Sequence, residues 1–491
     1  MSNLSELMPA GAGGKTSKFV ASGTLPNGQS VILNANGTIT AVAGTSTSFP
    51  QAIPKGSPAK FVDGENTREG AYFDPNVEGR LLVTYNATSN SSYYLSAVIG
   101  TVSGSSISFG TPTQITEGFN DQDASFDPNT PGKFIISYSI NSSPYGAKVR
   151  VGTISGTSIS FGAATTATTF EVAGFSVSCD PNTANKFILA VSSTSVGAAM
   201  IGTVSGTSIS LASSANFNGN TKTPIVRYNP ATANQVILSY TDYANSQYGT
   251  SVIGTVSGNS ISYATEYVFS SEASPATLMD ASKTGIFVVA WGYAGKSIIG
   301  TISGTAISYG SVANFISAYT QGVQVSFDPV TTNRFVVIYY DSQNSNYGTA
   351  RVGTVSGTTI SYGTKAGFAS GEVGSVPGLS FDPNASGMFA IAYGDIANPK
   401  DGKAVISQLA ATVTGTNLTA TNFIGMPDKA YASGATATVA LEGGVSTNQT
   451  SLTIGSTYYV QPTGSLATSA STPSVEAGKA ISATSLLLKG I

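Results

Sequence analysis

Short runs of alternating apolar and polar residues recur along the chain, such as Phe134-Ile135-Ile136-Ser137-Tyr138, Val149-Arg150-Val151 and Ser158-Ile159-Ser160-Phe161. A period of two puts successive side chains on opposite faces and predicts β-strands. Two landmarks punctuate the runs. The first is an apolar residue followed by a turn, at Phe73-Asp74-Pro75-Asn76, Phe126-Asp127-Pro128-Asn129, Cys179-Asp180-Pro181-Asn182, Tyr228-Asn229-Pro230-Ala231, Met279-Asp280-Ala281-Ser282, Phe327-Asp328-Pro329-Val330 and Phe381-Asp382-Pro383-Asn384. The second is Gly-Thr-Val/Ile-Ser-Gly, beginning at Gly100, Gly152, Gly202, Gly254, Gly300 and Gly353, with Thr412-Val413-Thr414-Gly415 as a degraded seventh copy.

Asp-Pro-Asn suits a turn because Asp accepts from nearby backbone N–H groups, Pro presets φ and Asn tolerates left-handed φ/ψ. Ser-Gly suits a hairpin tip. Each repeat of about 50 residues therefore encodes four strands, A to D, with Asp-Pro-Asn joining A to B and Ser-Gly joining C to D. Four-stranded antiparallel units at this period predict an all-β fold: a seven-bladed β-propeller flanked by small N- and C-terminal β modules. Ser125, Ser178, Ser326 and Ser380 fall on strand A, nearest the axis, where space is least.

The predicted organisation is an N-terminal β-rich segment over 1–43, the propeller over 44–416 and a C-terminal β module over 417–491. Gly44-Thr45-Ser46-Thr47-Ser48-Phe49 echoes strand D of the repeats, as in Gly156-Thr157-Ser158-Ile159-Ser160-Phe161, so residues 44–54 are expected to complete the last blade. Leu418 to Phe423 is the competing strand.

Composition narrows the chemistry. Of 491 residues only 10% are charged while 55 are Gly, a mixture that suits strands and tight turns. A net charge of −3 offers no basic field for a phosphate backbone, so nucleic acid is not an expected partner. The N-terminal residues show no basic start with an apolar run, and no segment is long and apolar enough to cross a bilayer, so neither export nor membrane insertion is expected. The single cysteine, Cys179, precludes an intrachain disulfide and fills a slot held by Phe126, Phe327 and Phe381, which predicts burial. With no histidine, Ser-His-Asp and Cys-His chemistry and imidazole metal ligation are excluded. No enzyme, cofactor or metal is expected. The lone Trp291 lies in a strand B and reads as core.

Strand alternation sends the A–B and C–D turns to one face and the B–C and D–A loops to the other. The second face carries the variable loops, rich in Tyr, Asn, Ser and Asp. Its candidate ligand-binding residues are Tyr93, Tyr145, Tyr248 and Tyr347 with Asn90, Asn245 and Asn344, which pair flat apolar rings with adaptable hydrogen bonds. The Tyr-Gly pairs also admit a structural reading, with Tyr packed over the blade and Gly supplying positive φ. Glu117, Asp121 and Asp123 cluster in one D–A loop, as cation ligands, an acid/base pair or a solvated acidic loop; their spacing matches no metal-loop motif.

The ending Tyr458-Tyr459-Val460-Gln461 followed by Pro473-Ser474-Val475, Ala477-Gly478 and Ser482-Ala483-Thr484-Ser485-Leu486 resembles a module near the C-termini of tailed-bacteriophage tail fibres and virion structural proteins. Leu7-Met8-Pro9-Ala10-Gly11 with Phe19-Val20-Ala21-Ser22-Gly23, and the run Ser345-Asn346-Tyr347-Gly348-Thr349-Ala350-Arg351-Val352-Gly353, are similar to segments of marine phage structural proteins. The resemblance implies a virion protein, assembled in the host cytoplasm beside other virion proteins. It further implies a tail-fibre-like appendage, often a homo-oligomer such as a trimer, whose loop face meets a host cell-surface glycan or envelope protein. The alternatives are a capsid or tail decoration or connector protein without host ligand, and a polysaccharide depolymerase.

Overall fold

The structure is a computed structural model that describes residues 15–47, 56–64, 66–89, 92–117, 119–140, 145–271, 277–281, 285–292, 294–331, 333–374, 376–396, 401–409, 413–461, 464–470 and 473–489. Among these residues every regular element is a strand. The chain divides into two compact units, Pro50–Ala411 and the combination of Met1–Phe49 with Thr412–Ile491.

The larger unit is a succession of antiparallel sheets, each built from one repeat except the last, which also takes a strand from ahead of the first repeat. The second is typical: strand A Phe119–Phe126, B Lys133–Ile140, C Gly146–Ser155 and D Ser158–Phe161, with Thr165–Thr166 returning to the start of strand C. Strands B are buried almost throughout, as expected of the middle of a sheet packed on both faces. The repeated glycines have two distinct jobs. At Gly152, Gly202 and Gly353 a Cβ would come within 2.2 Å of the ring of Phe134, Phe187 and Phe335 on strand B, so the first Gly of the motif makes room for an aromatic. The last Gly turns the hairpin tip, with φ near +60° at Gly104, Gly156 and Gly206.

Neighbouring sheets are joined at their inner edges by side chains. Ser125 Oγ accepts from Cys179 N–H at 3.0 Å, and Ser178 Oγ accepts from Tyr228 N–H at 3.2 Å. The turns add a second tie: Asn76 Nδ2 donates to Asp127 O at 3.1 Å and Asn129 Nδ2 to Asp180 O at 3.0 Å. The same bonds link the last repeat to the first, with Ser380 Oγ accepting from Phe73 N–H at 3.1 Å and Asn384 Nδ2 donating to Asp74 O at 3.3 Å.

The fifth repeat departs from its expected register. Ala281, not Met279, pairs with the strand B phenylalanine Phe287, as Cys179 pairs with Phe187 and Phe327 with Phe335. Asp280 therefore stands on strand A in the place of the serines, and its Oδ2 accepts from Phe327 N–H at 2.8 Å. It is not a turn residue.

Between sheets, an aromatic in or just after the outer strand packs on a strand B ring of the next repeat. Phe217–Tyr240 and Phe315–Tyr339 have ring centroids 5.0 and 5.1 Å apart, and Phe269 meets the buried Trp291 at 5.7 Å. Phe61 repeats this contact on Tyr85 at 5.0 Å. Its strand, Ala59–Val62, is the one that joins the last sheet, beside Gly402–Gln408. Gly44–Thr47 pairs instead with Val413–Thr416 in a separate two-stranded sheet, and residues 48–55 lie outside those described. The physical reason is packing: Phe61 carries the aromatic that the outer position needs, and Gly44–Thr47 has none.

The smaller unit corrects the expectation of separate terminal modules. Thr16–Val20 pairs residue for residue with Thr436–Ala440, and Phe423–Pro427 pairs with Val31–Leu33, so one five-stranded sheet draws on both ends of the chain. A second five-stranded sheet holds Thr457–Val460, Glu476–Ala480 and Leu486–Leu488. The competing strand Leu418 to Phe423 contributes Leu418 and Phe423 to this unit's core.

Phe61→Ala is expected to cost about 3–5 kcal/mol, as for other buried Phe truncations. Urea unfolding of the full chain checks it, and a loss no larger than that of an exposed-site control would show that Ala59–Val62 does not complete the last sheet.

Candidate ligand-binding site

The inner strands enclose a cavity of about 1010 Å³. One end is bounded by turn prolines, including Pro75, Pro230 and Pro383, and the other by residues in the first half of strands A, including Arg68, Gln122 and Thr223, with Tyr319 ahead of the sixth. β-Bulges between Thr67 and Gly70 and between Lys222 and Ile225 fall in two of these strands. Arg68 and Thr223 adopt left-handed backbone, with φ of 56° and 48°. Such strain in non-glycine residues persists only where the surroundings hold it, and it concentrates at functional sites.

A continuous hydrogen-bonded chain runs along the wall across four successive sheets. Tyr72 Oη donates to Asp123 Oδ1 at 3.2 Å, Ser176 Oγ donates to Asp123 Oδ2 at 3.0 Å, and Arg227 Nη1 donates to Ser176 Oγ at 3.0 Å. Val177 N–H adds a third bond to Asp123 at 2.9 Å. Burial raises the Asp123 carboxyl above its ordinary value, against the Arg227 charge and these donors, which pull it down. Burial and the neighbouring Asp123 charge push the Tyr72 hydroxyl well up, so it stays a donor. At the rim Asp121 pairs with Arg68 at 3.0 Å, and Gln122 Nε2 donates to Arg68 O at 2.7 Å. Tyr319 is 56% exposed there and holds Gln321 Nε2 at 2.7 Å.

Of the residues predicted from sequence, Asp121 and Asp123 line this cavity. Both lie on strand A and not in a loop: Asp121, with its side chain 45% exposed, is ion-paired at the rim, and Asp123 is bonded into the wall. Among the described residues no cluster of three or more carboxylate or thiol groups is arranged to hold a metal. Tyr145, Tyr248, Tyr347, Asn245 and Asn344 sit on alternate repeats and do not line the cavity. Asn90 lies outside the described residues, as do the side chains of Tyr93 and Glu117.

The Tyr-Gly pairs have a clear local cause. Asp242 Oδ1 accepts from Ala244 and Asn245 N–H, and Tyr248 N–H returns to Asn245 O at 3.0 Å, closing the turn. Gly146 does supply a positive φ, of 144°, as expected of its pair, whereas after Asp242 the positive φ lies on Ser246 and Gln247, and in the sister loop on Ser345 and Asn346, not on Gly249 or Gly348. Gly249 and Gly348 instead leave room for Phe269 and Phe368, whose rings come within 2.4 Å of where a Cβ would be. Tyr72, Ser176 and Arg227 were not singled out from sequence. Their available signal was position: Tyr72 and Arg227 interrupt the serine expected on strand A.

Cys179 is buried, its N–H bound to Ser125, and burial pushes its thiol up to about 12. It is a packing residue.

No protein-family model matches the chain, and no curated protein matches it. Among solved structures it is similar to the BP39L lectin of Burkholderia pseudomallei, at 11% identity and a TM-score of 0.53 over 72% of this chain and 99% of the lectin. It is also similar to Sqt1 of Chaetomium thermophilum bound to the N-terminus of the ribosomal protein L10 (12% identity, TM-score 0.46, 71% of this chain, 89% of that one). Sqt1 of Saccharomyces cerevisiae matches at 11% identity and a TM-score of 0.44 over 72% of this chain and 98% of its own. At this identity the lectin likeness shows the fold, an all-β propeller-like array, and nothing of function. The tail-fibre expectation is corrected here: the likeness that bears on this chain is to a lectin, at 11% identity, and it supports a propeller-like fold without supporting a virion appendage. The appendage reading is set aside, together with its decoration and depolymerase alternatives and virion localisation. Among the described residues no helix is long and apolar enough to cross a membrane.

Two outcomes follow from the pKa directions. Because the folded Asp123 carboxyl titrates above its ordinary value of 3.8, its contribution to stability is full below that value and is lost as pH rises through the folded value. Asp123→Asn removes that loss, so the stability of the variant relative to wild type should rise with pH across this window in urea titrations. Cys179 in the native protein should resist thiol reagents at pH 8 and react once unfolded.

Proposed function

We propose that the chain is a non-enzymatic recognition protein whose larger unit is a closed seven-bladed propeller. Its axial cavity, at the end where strands A begin, binds a polyhydroxylated ligand of the saccharide class. The closed ring is supported by the Ser380–Phe73 and Asn384–Asp74 bonds and by the Phe61–Tyr85 contact, which repeat the links found between the other repeats.

The observation that carries the ligand reading is the wall chain from Tyr72 through Asp123 and Ser176 to Arg227. It sets fixed donors and acceptors side by side. Vicinal hydroxyls donate and accept at the same spacing, and a wall already held by its own bonds loses little order on binding. Tyr319 at the rim offers a flat apolar face to sugar C–H groups. Binding rather than turnover is favoured by how the cavity carboxylates are engaged. Asp121 is paired with Arg68, Asp123 takes three donors, and Asp280 takes Ser326 Oγ and Phe327 N–H.

Screening the full chain on a saccharide array, followed by calorimetry on the best ligand, tests the reading. Tyr319→Ala is expected to weaken affinity about fivefold with unfolding unchanged, in line with about 1 kcal/mol for an aromatic contact. Retention of no saccharide by the wild type, or an unaltered affinity in Tyr319→Ala, would remove it.

A further inference from the structure

The sister repeats differ in charge at one crevice. In the sixth repeat, Asp341 at the end of strand B is paired with Lys365 at 2.9 Å. In the last repeat, Asp395 is paired with Lys403 at 2.6 Å. Asp242 occupies the same place in the fourth repeat, opposite Tyr248 as Asp341 is opposite Tyr347, and is 3% exposed. The residue matching Lys365 is an acid: Ser260-Ile261-Ser262-Tyr263-Ala264-Thr265-Glu266 runs parallel to Thr359-Ile360-Ser361-Tyr362-Gly363-Thr364-Lys365. Two carboxylates, near enough for the Glu266 charge to act on Asp242, thus stand where the sister site has an ion pair. Lys222, the basic residue next to Thr221, lies over the Tyr243 ring at 4.6 Å instead.

The surrounding oxygens are unsatisfied. Asn218, from the outer edge of the third sheet, donates its Nδ2 to Glu266 Oε1 at 3.0 Å, and Tyr240 Oη donates to the same oxygen at 2.6 Å. That leaves Asn218 Oδ1 buried without a partner. Thr221, directly across from Asp242, and Thr250, directly across from Tyr240, are 0% and 1% exposed, and neither hydroxyl has a partner. Buried oxygens without partners are costly and rare in native proteins. The Asp242 carboxyl is raised by burial first and also by the Glu266 charge.

We propose that the crevice between the third and fourth repeats is a binding site for a hard divalent cation of the calcium class, held by Asp242, Glu266, Asn218 Oδ1 and the Thr221 and Thr250 hydroxyls. The donor set is all oxygen, mixing two carboxylates with neutral amide and hydroxyl groups, which suits calcium and its tolerant geometry. It lacks the nitrogen and sulfur ligands that zinc favours. Glu266 is exposed, so the ion has a route in from solvent. A dication neutralises the two acids as the Lys365 ammonium neutralises Asp341, and it ties the two sheets together through Asn218.

The test uses the full chain stripped with chelator. Terbium luminescence sensitised by the nearby tyrosines, displaced by calcium, reads binding, and thermal unfolding with and without calcium reads linkage. Calcium is expected to raise the wild-type melting temperature by a few degrees. Glu266→Lys, which rebuilds the sister ion pair, is expected to lose both the terbium signal and the calcium shift while melting at or above the metal-free wild type. A wild type without terbium signal or calcium shift would overturn the proposal, as would a Glu266→Lys variant that keeps both.

Discussion

The inner edge of each sheet sets the terms for the rest of the larger unit. Strands A converge, yet they belong to different sheets and cannot pair with one another, so each presents backbone N–H groups that need acceptors. Ser125, Ser178 and Ser380 provide them, each accepting from the strand A of the following repeat, and Asp280 does the same between the fifth and sixth. A hydroxyl is small enough to fit near the centre and reaches across at 3.0 to 3.2 Å. Where the serine is replaced by Tyr72 or Arg227, a long side chain enters the cavity, and the polar wall is built from those two departures.

Farther out, the constraint changes from hydrogen bonding to volume. Aromatics pack between neighbouring sheets: Phe217, Phe269 and Phe315 lie on Tyr240, Trp291 and Tyr339 of the next repeat. Those rings explain glycines that carry no unusual backbone, since Gly249 and Gly348 yield space to Phe269 and Phe368. Arg150 and Arg351 bridge repeats in the same zone, each donating to a carbonyl of the preceding one, Ile115 O and Phe315 O, while lying over Phe161 and Tyr362. A near-repeat of this kind makes its exceptions informative. Asp280 in a serine position and Glu266 in a lysine position are each visible only against their sisters.

Much was legible in the sequence because it is local. Alternating runs, Asp-Pro-Asn turns and Ser-Gly tips each act over a few residues, so strands A to D, the all-β class and the burial of Cys179 and Trp291 could be read directly. The register of the fifth repeat could not. Met279-Asp280 has the look of a turn, and only its pairing with Val289 and Val288 shows it to be strand.

What the tertiary structure alone decided concerns partners distant along the chain. Ala59–Val62 carries an aromatic that Gly44–Thr47 lacks, but that this places it beside Gly402–Gln408 follows only from Phe61 meeting Tyr85 of the first repeat. The union of Thr16–Val20 with Thr436–Ala440 in one sheet joins segments that the sequence presents as opposite ends. The hydrogen-bonded wall and the Asp242–Glu266 crevice also assemble from separate repeats, each with its own ordinary-looking residues. Periodicity along a chain specifies which residues form strands and which face is apolar, whereas bonds between strands depend on distances that only the folded arrangement creates.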